Sequence, residues 1–232
     1  MRAISSMATR ALLADLAAAA HAAGAPSLEI ESVGGVDAEA RVAAGEPVDL
    51  VFLASGALAR LARDGHVDAS TVTPIALSQV AVAVPSEGVD AASSPTGTAF
   101  DDASGLRAAL RAAGRVGYST GPSGTALVGM IEEWGLTGEL GDRLVQARPG
   151  IPVAASLAAG DVDLGFQQLS ELVGQPGIRV LGVLPADCAI DTTFSGAVAT
   201  ASTDSVAAEK VLALFASEKM TPIIERHSFT LV

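Results

Sequence analysis

Apolar and polar positions along this chain switch between two periods, and the switches mark its elements. Over Thr9–Ala23, Leu12, Leu13, Leu16 and Ala20 recur at helical spacing, so the stretch reads as an amphipathic helix stopped by Gly24. Leu28–Val33, LEIESV, alternates as a half-buried strand does and runs into Gly34-Gly35. Helical spacing returns in Asp37–Ala44 and Ala57–Arg63, and Pro74–Pro85 is a nearly continuous apolar strand. Ser86–Asp102 carries Gly, Ser and Pro and reads as a loop. Beyond it the pattern predicts a helix over Ser104–Ala113, a strand end at Val116–Ser119 and a helix through Glu133. A helix over Ile151–Ala159, strands over Ile178–Val183 and Phe194–Ala201, a helix over Ser205–Ser217 and a last short one from Thr221 follow. Arg2–Ser5 can only be a very short strand, with Ser5–Ala8 as the loop into the first helix.

One phrase occurs twice. Ala43–Ser55 reads AAGEPVDLVFLAS and Ala158–Glu171 reads AAGDVDLGFQQLSE. Each copy is a helix end, a Gly stop, an acid, Val-Asp-Leu and an apolar strand. Gly is the residue expected past a helix C-terminus, because it reaches positive φ without a Cβ clash. Together with the alternation of strands and helices, the echo predicts two similar α/β lobes with mixed but mainly parallel sheets. Residues 1–80 plus 200–232 would form the first lobe and 81–199 the second. The apolar segments Val80–Val84 and Gly196–Ala199 would then serve as a two-strand hinge. In open α/β sheets ligands sit beyond the carboxyl ends of the strands. That points at Ala54-Ser55 in one copy and Gln167-Gln168 in the other.

Composition narrows the partners. Half of the 232 residues are hydrophobic but only 3% are aromatic, so the core rests on Ala, Val and Leu. The formal net charge of -12 argues against a nucleic-acid surface. It leaves anionic ligands open, since helix N-termini and neutral donors hold anions without net positive charge. No apolar run is long enough to span a bilayer, so no membrane insertion is expected. Arg2, Arg10 and ALLADLAAAAHAAGA superficially resemble an export signal, but Asp15 and His21 interrupt the run. The sequence as it stands is therefore expected in the cytoplasm; a trimmed mature form would be periplasmic. Cys188 alone cannot form an intramolecular disulfide and reads as a small buried hydrophobe. Three scattered His give no metal site, and no cofactor is expected.

The candidate ligand residues lie in loops between strands and helices. Ser5 and Ser6 are either donors to an anion or the cap of the first helix. Gly34 and Gly35 either let a ligand approach the backbone or simply make a tight turn. Ser119, Ser123, Gly124 and Thr125 cluster at a helix start in excess of what capping needs. The segment is not a P-loop, which would need a Lys and a different glycine spacing. Gln167 and Gln168 at a strand end read as functional rather than as a solvated edge. Arg148 is either a bidentate carboxylate partner or a surface residue, and Tyr118 is read as core more readily than as a cleft residue. Asp49 and Asp163, common to both phrases, read as structural hydrogen-bond acceptors.

The order of these features resembles the molybdate-binding family of ABC-transporter solute receptors. A Ser loop before a helix, a Gly-rich loop before a helix, AAGEPVDLVFL, Pro-Ser-Gly after a Tyr-Ser strand, then GDVDLGFQQLSE run in the same order over essentially the whole chain. The resemblance implies a type II periplasmic-binding-protein fold, two lobes closing on a small anion, and an ABC importer as partner for an exported form. It transfers Ser5-Ser6, Ser123 beside Gly124, and the backbone of Val153 as ligand donors. At the second loop, where the family offers serines, this chain has Gly34-Gly35-Val36. Where the family has a Tyr, it has Gln168. Both departures imply an organic carboxylate rather than molybdate. The run Gln167–Glu171 is also similar to aconitate isomerases, divergent relatives that shift an allylic double bond. The resemblance transfers no catalytic residue, and a receptor and an isomerase of an unsaturated di- or tricarboxylate both stay open.

Overall fold

The structure is a computed structural model and describes residues 1–86, 92–95, 97–148 and 150–232. Part of the expected Ser86–Asp102 loop, and Pro149, lie outside the described residues. In chain order the first elements are β1 (Arg2–Ser6), α1 (Arg10–Ala22), β2 (Glu29–Val33), α2 (Gly35–Ala43), β3 (Leu50–Ala54), α3 (Ser55–Arg63) and β4 (Thr73–Pro85). They are followed by α4 (Ala103–Ala112), β5 (Val116–Tyr118), α5 (Pro122–Glu133), α6 (Thr137–Leu140), β6 (Leu144–Gln146), α7 (Val153–Ala158), β7 (Leu164–Gln168) and α8 (Leu169–Leu172). The last are β8 (Ile178–Val183), β9 (Asp191–Val198), α9 (Ser205–Phe215) and α10 (Thr221–Arg226).

Two compact units result, Met1–Ser78 with Thr192–Val232, and Gln79–Asp191. The chain passes between them inside β4 and again at the start of β9. The second boundary thus falls eight residues earlier than the 199/200 division read from the sequence, and Gly196–Ala199 lies inside the first unit. The reason is pairing: β9 runs antiparallel to β3 from Leu50↔Val198 to Ala54↔Phe194, a partnership between segments far apart in sequence.

In the first unit the strand order is β2-β1-β3-β9, with β1 parallel to both β2 and β3. Strand alternation divides its core. Leu50 and Phe52 of β3 face α1 and α9, where Phe52 stacks on Phe215 at 5.6 Å, while Val51 and Leu53 face α2 and α3. In the second unit β5 lies between β6 and β7 with both pairs parallel, while β4 runs antiparallel to β7 and to β8. This sheet is mixed, with its parallel pairs around β5 and its antiparallel pairs along β4.

The repeated phrase does the same work in both units. Gly45 (φ +86°) and Gly160 (φ +73°) reverse the chain after a helix, where a Cβ would be strained. Asp49 Oδ2 accepts the Arg2 N–H at 2.9 Å, and Asp163 Oδ2 accepts the Arg115 N–H at 2.9 Å. Each Asp thereby ties its strand to the start of the parallel neighbour. Burial works against ionising Asp49, but bonds from the Arg2 amide and the Ser202 hydroxyl outweigh it and hold the carboxyl below its usual range. The structural reading of both acids stands.

Candidate functional site

Parallel pairing brings the carboxyl ends of β1, β2 and β3, and hence Ser6, Gly34 and Ser55, to one edge of the first unit. These residues prove chemically different. Ser5 is fully buried and its Oγ pairs with Ser32 Oγ at 2.8 Å, directly across the β1–β2 register. Its hydroxyl is therefore a sheet contact rather than a donor held in reserve, and Ser5 and Ser6 belong to β1, not to a loop. Ser6 is the opposite case. It stands at the N-cap of a short 3₁₀ turn, Met7–Thr9, yet its side chain makes no capping bond, and its buried Oγ has no partner among the described residues. Capping does not account for it.

Gly35 opens α2 beside Ser6: a Cβ added there would stand 3.6 Å from Ser6 Cβ. Neither Gly34 nor Gly35 has positive φ, so a tight left-handed turn is not the reason for glycine here. No side chain caps α2, so its first amides have no side-chain acceptor at the end that lies beside Ser6. Met7 and Val36 flank the spot and are 46% and 74% exposed, unusual values for large apolar residues. Ser55, the first residue of α3, is spoken for: its Oγ lies 2.7 Å from Ser195 Oγ and donates to the Thr193 carbonyl at 3.0 Å. It anchors α3 to β9.

In the second unit, β5, β6 and β7 end together at Ser119, Gln146 and Gln168. Ser119 and Ser123 are buried and share a hydroxyl bond of 2.9 Å. A Cβ at Gly124 would lie 1.8 Å from the Ser119 carbonyl oxygen, so only glycine lets the first turn of α5 close against the end of β5. Thr125 bonds back to the Gly121 carbonyl at 3.4 Å and belongs to the helix.

Helix α7 is pressed onto the sheet by two glycines. A Cβ at Gly165 would come within 2.7 Å of Val153 Cγ1, and one at Gly117 within 3.2 Å of the same atom. This close approach puts the Val153 N–H 2.8 Å from Gln167 Oε1. The Val153 amide is thus occupied by a side chain of its own unit. With its oxygen fixed there, the Gln167 carboxamide turns its NH₂ toward Glu171, whose carboxyl accepts from it. Desolvation pushes the Glu171 carboxyl above its usual range, and the Gln167 bond only partly offsets this. Gln168 is buried at the last position of β7.

Among the described residues no cluster of His, Cys, Asp or Glu could hold a metal ion. His21 bonds the Ala25 carbonyl, and His227 bonds Asp15 at 2.9 Å, both away from these strand ends. Tyr118 packs on the second unit's core, and Arg148 is exposed. Sequence reasoning missed Ser32, Ser195 and Glu171. The first two act through strand pairing. Glu171 sat inside the repeated phrase, but nothing in its spacing announced that the single turn of α8 would leave it half-buried.

Residues 1–230 match the family described as bacterial extracellular solute-binding protein. Among curated relatives, the aconitate isomerase of Pseudomonas sp. is 31% identical over 185 residues, covering 80% of this chain and 68% of that protein. Among solved structures, the periplasmic molybdate-binding protein of Azotobacter vinelandii gives a TM-score of 0.77 at 18% identity, over 100% of this chain and 99% of that one. The tungstate ABC transporter structure from Geobacter sulfurreducens gives 0.73 at 15% identity, over 97% of each chain. The fold is the α/β fold of periplasmic binding proteins, as the sequence resemblance implied.

Proposed function

We propose, for a chain that belongs to the bacterial extracellular solute-binding protein family, that its ligand is a small organic carboxylate. The observation that carries this is the pairing of Ser6 with exposed apolar neighbours. A buried hydroxyl without a partner costs about 1–3 kcal/mol. A carboxylate oxygen on Ser6 Oγ and the first amides of α2 would supply that partner. Met7 and Val36 then have a use, because the carbon skeleton of an organic acid covers them and a metal oxyanion has none. In this reading Ser6 and the α2 amides are the donors of the first unit, and Ser123, Gly124 and Gln168 are candidate donors of the second. As a receptor the chain would deliver its ligand to an ABC importer, which requires export.

An isomerase acting on an unsaturated di- or tricarboxylate is favoured by a separate observation. The Pseudomonas sp. aconitate isomerase shares 31% of its aligned residues with this chain, and Glu171, in the single turn of α8 that follows β7, is a carboxyl with an upward-shifted pKa.

A thermal-shift screen tests the ligand class. Molybdate, tungstate and sulfate are compared with malate, citrate and trans-aconitate. The carboxylate that fits should stabilise the protein progressively, by about 2.7 kcal/mol at a hundred times its Kd. Stabilisation by molybdate or tungstate and by none of the carboxylates would overturn the assignment. Cell fractionation separates an exported receptor from an enzyme retained inside.

A further inference from the structure

Gly34 and Gly35 open α2, and nothing in the fold requires either to be glycine. Neither has positive φ. Packing does not demand them: a Cβ at Gly117, Gly124, Gly165 or Gly196 would stand 1.8 to 2.9 Å from a neighbour, whereas one at Gly34 would meet only Asp37 Cβ at 4.0 Å and one at Gly35 only Ser6 Cβ at 3.6 Å. Glycine is also a poor helix former. The start of α2 is therefore kept free of side chains, with Ser6 bordering one open position and Asp37 the other. The two borders are chemically opposite. Ser6 Oγ is a buried hydroxyl without a partner among the described residues. Asp37 is an exposed acid in the first turn of α2, and no described hydrogen bond or ion pair involves it.

An acid in a first turn complements the helix dipole, and Asp37 does so with or without a ligand. Its charge also restricts what can bind. A bare anion drawn to Ser6 and the first amides of α2 meets a like charge at the same helix end. A carboxylate with a hydrogen-bond donor beside it turns that opposition into a contact, because Asp37 accepts and does not donate when ionised. We propose that the ligand carries such a donor on the carbon next to its carboxylate, which makes it an α-hydroxy or α-amino acid. The carboxylate sits on Ser6 Oγ and the α2 amides, and the hydroxyl or ammonium group is read by Asp37. The space left at Gly34 and Gly35 admits the tetrahedral carbon that bears both groups. The inference rests on the carboxylate reading given above and adds to it what the neighbouring carbon must carry and which residue recognises it.

Calorimetry on the full chain tests this with acids matched except at that carbon: propionate, lactate and alanine; succinate, malate and aspartate; tricarballylate and citrate. In at least one series a donor-bearing acid should bind about tenfold or more tightly than its unsubstituted parent, the worth of a hydrogen bond to a charged group. Whether the hydroxy or the amino acid does so identifies the donor. Asp37→Ala should abolish that advantage while the parent acid binds as well as before or better, because the like charge is gone. A purely structural Asp37 would instead weaken every acid equally, and that result overturns the proposal. Melting curves check that the variant folds, and the wild-type series decides alone if it does not. Parents that bind wild type as tightly as the donor-bearing acids, or an advantage that survives in Asp37→Ala, overturn the proposal and spare the carboxylate reading. Binding of trans-aconitate alone, which has no such donor, does the same. Absence of binding by every acid removes both.

Discussion

Gln167 Oε1 accepts the backbone N–H of Val153 at 2.8 Å, so the amide at the start of α7 is satisfied from within its own unit. A backbone donor that the sequence resemblance assigned to ligand is thus engaged by a side chain, and Gln167 links α7, β7 and Glu171 in one chain of hydrogen bonds.

Gln167→Leu keeps the side-chain volume and removes both of those bonds. It leaves the Val153 N–H buried without a partner, an arrangement that costs about 1–3 kcal/mol. Urea denaturation should show the midpoint falling by that free energy divided by an unchanged m-value. An unchanged midpoint would mean that the Val153 amide finds another acceptor and that Gln167 is not what holds α7.

Ser5 and Ser6 are neighbours in sequence and opposites in chemistry, so their alanine variants should separate stability from binding. Ser5→Ala loses the bond to Ser32 and should cost about 1 kcal/mol in the unliganded protein. Ser6→Ala removes an unpartnered hydroxyl and should leave that stability unchanged or raise it. With the carboxylate that binds, Ser6→Ala should lose about 1.5–3 kcal/mol, the worth of a hydrogen bond to a charged group. Chemical denaturation and calorimetry of both variants check the crossing pattern. A loss of apo stability in Ser6→Ala would show the hydroxyl to be structural.

The contrast between Ser5 and Ser6 also marks how far the sequence could be read. The duplicated helix–Gly–Val-Asp-Leu phrase is local, so its two strands, its left-handed glycines and its structural acids were visible from residue types and spacing. Alternation within LEIESV identified a half-buried strand, and the continuous apolar run of VDLVFL identified a strand in the core. What spacing does not contain is who sits across the sheet. Ser55 meets Ser195 over 140 residues of chain, and β9 joins β3 rather than the second unit. On sequence alone Ser5 stays either a donor or a cap, because its partner Ser32 becomes a neighbour only once the β1–β2 register is set. Glu171 is illegible for a related reason: the desolvation that raises its pKa comes from packing, and its neighbours in sequence carry no sign of that.

Two glycines among the candidate residues should respond oppositely to a methyl group. At Gly124 the added Cβ would lie 1.8 Å from the Ser119 carbonyl oxygen, a backbone atom that cannot step aside. Gly124→Ala should therefore cost more than about 3 kcal/mol or prevent folding, beyond the ordinary range of overpacking. At Gly35 the new Cβ meets only Ser6 Cβ at 3.6 Å, an ordinary contact. Gly35→Ala should fold with its melting temperature little changed and bind carboxylate more weakly, because the methyl narrows the space above Ser6. Melting curves with and without ligand distinguish the two cases.

Glu171 should make the unliganded fold pH-sensitive in a direction opposite to that of Asp49. Its folded-state pKa is raised above the ordinary 4.5 by desolvation. Below that value the carboxyl is protonated in both folded and unfolded chains and contributes no difference. As pH rises through the window between the two pKa values, the folded chain retains a proton that the unfolded chain has released, so stability falls and stays reduced above the folded pKa. Asp49, held below its usual 3.8, contributes stability that is present at neutral pH and lost as pH falls through its folded pKa. Glu171→Gln removes the first effect and leaves the second. Its melting temperature without ligand should exceed that of wild type at pH 7 to 8, and the two curves should converge as pH falls toward about 4.5. A variant less stable than wild type at pH 7 would mean that Glu171 is retained for the fold.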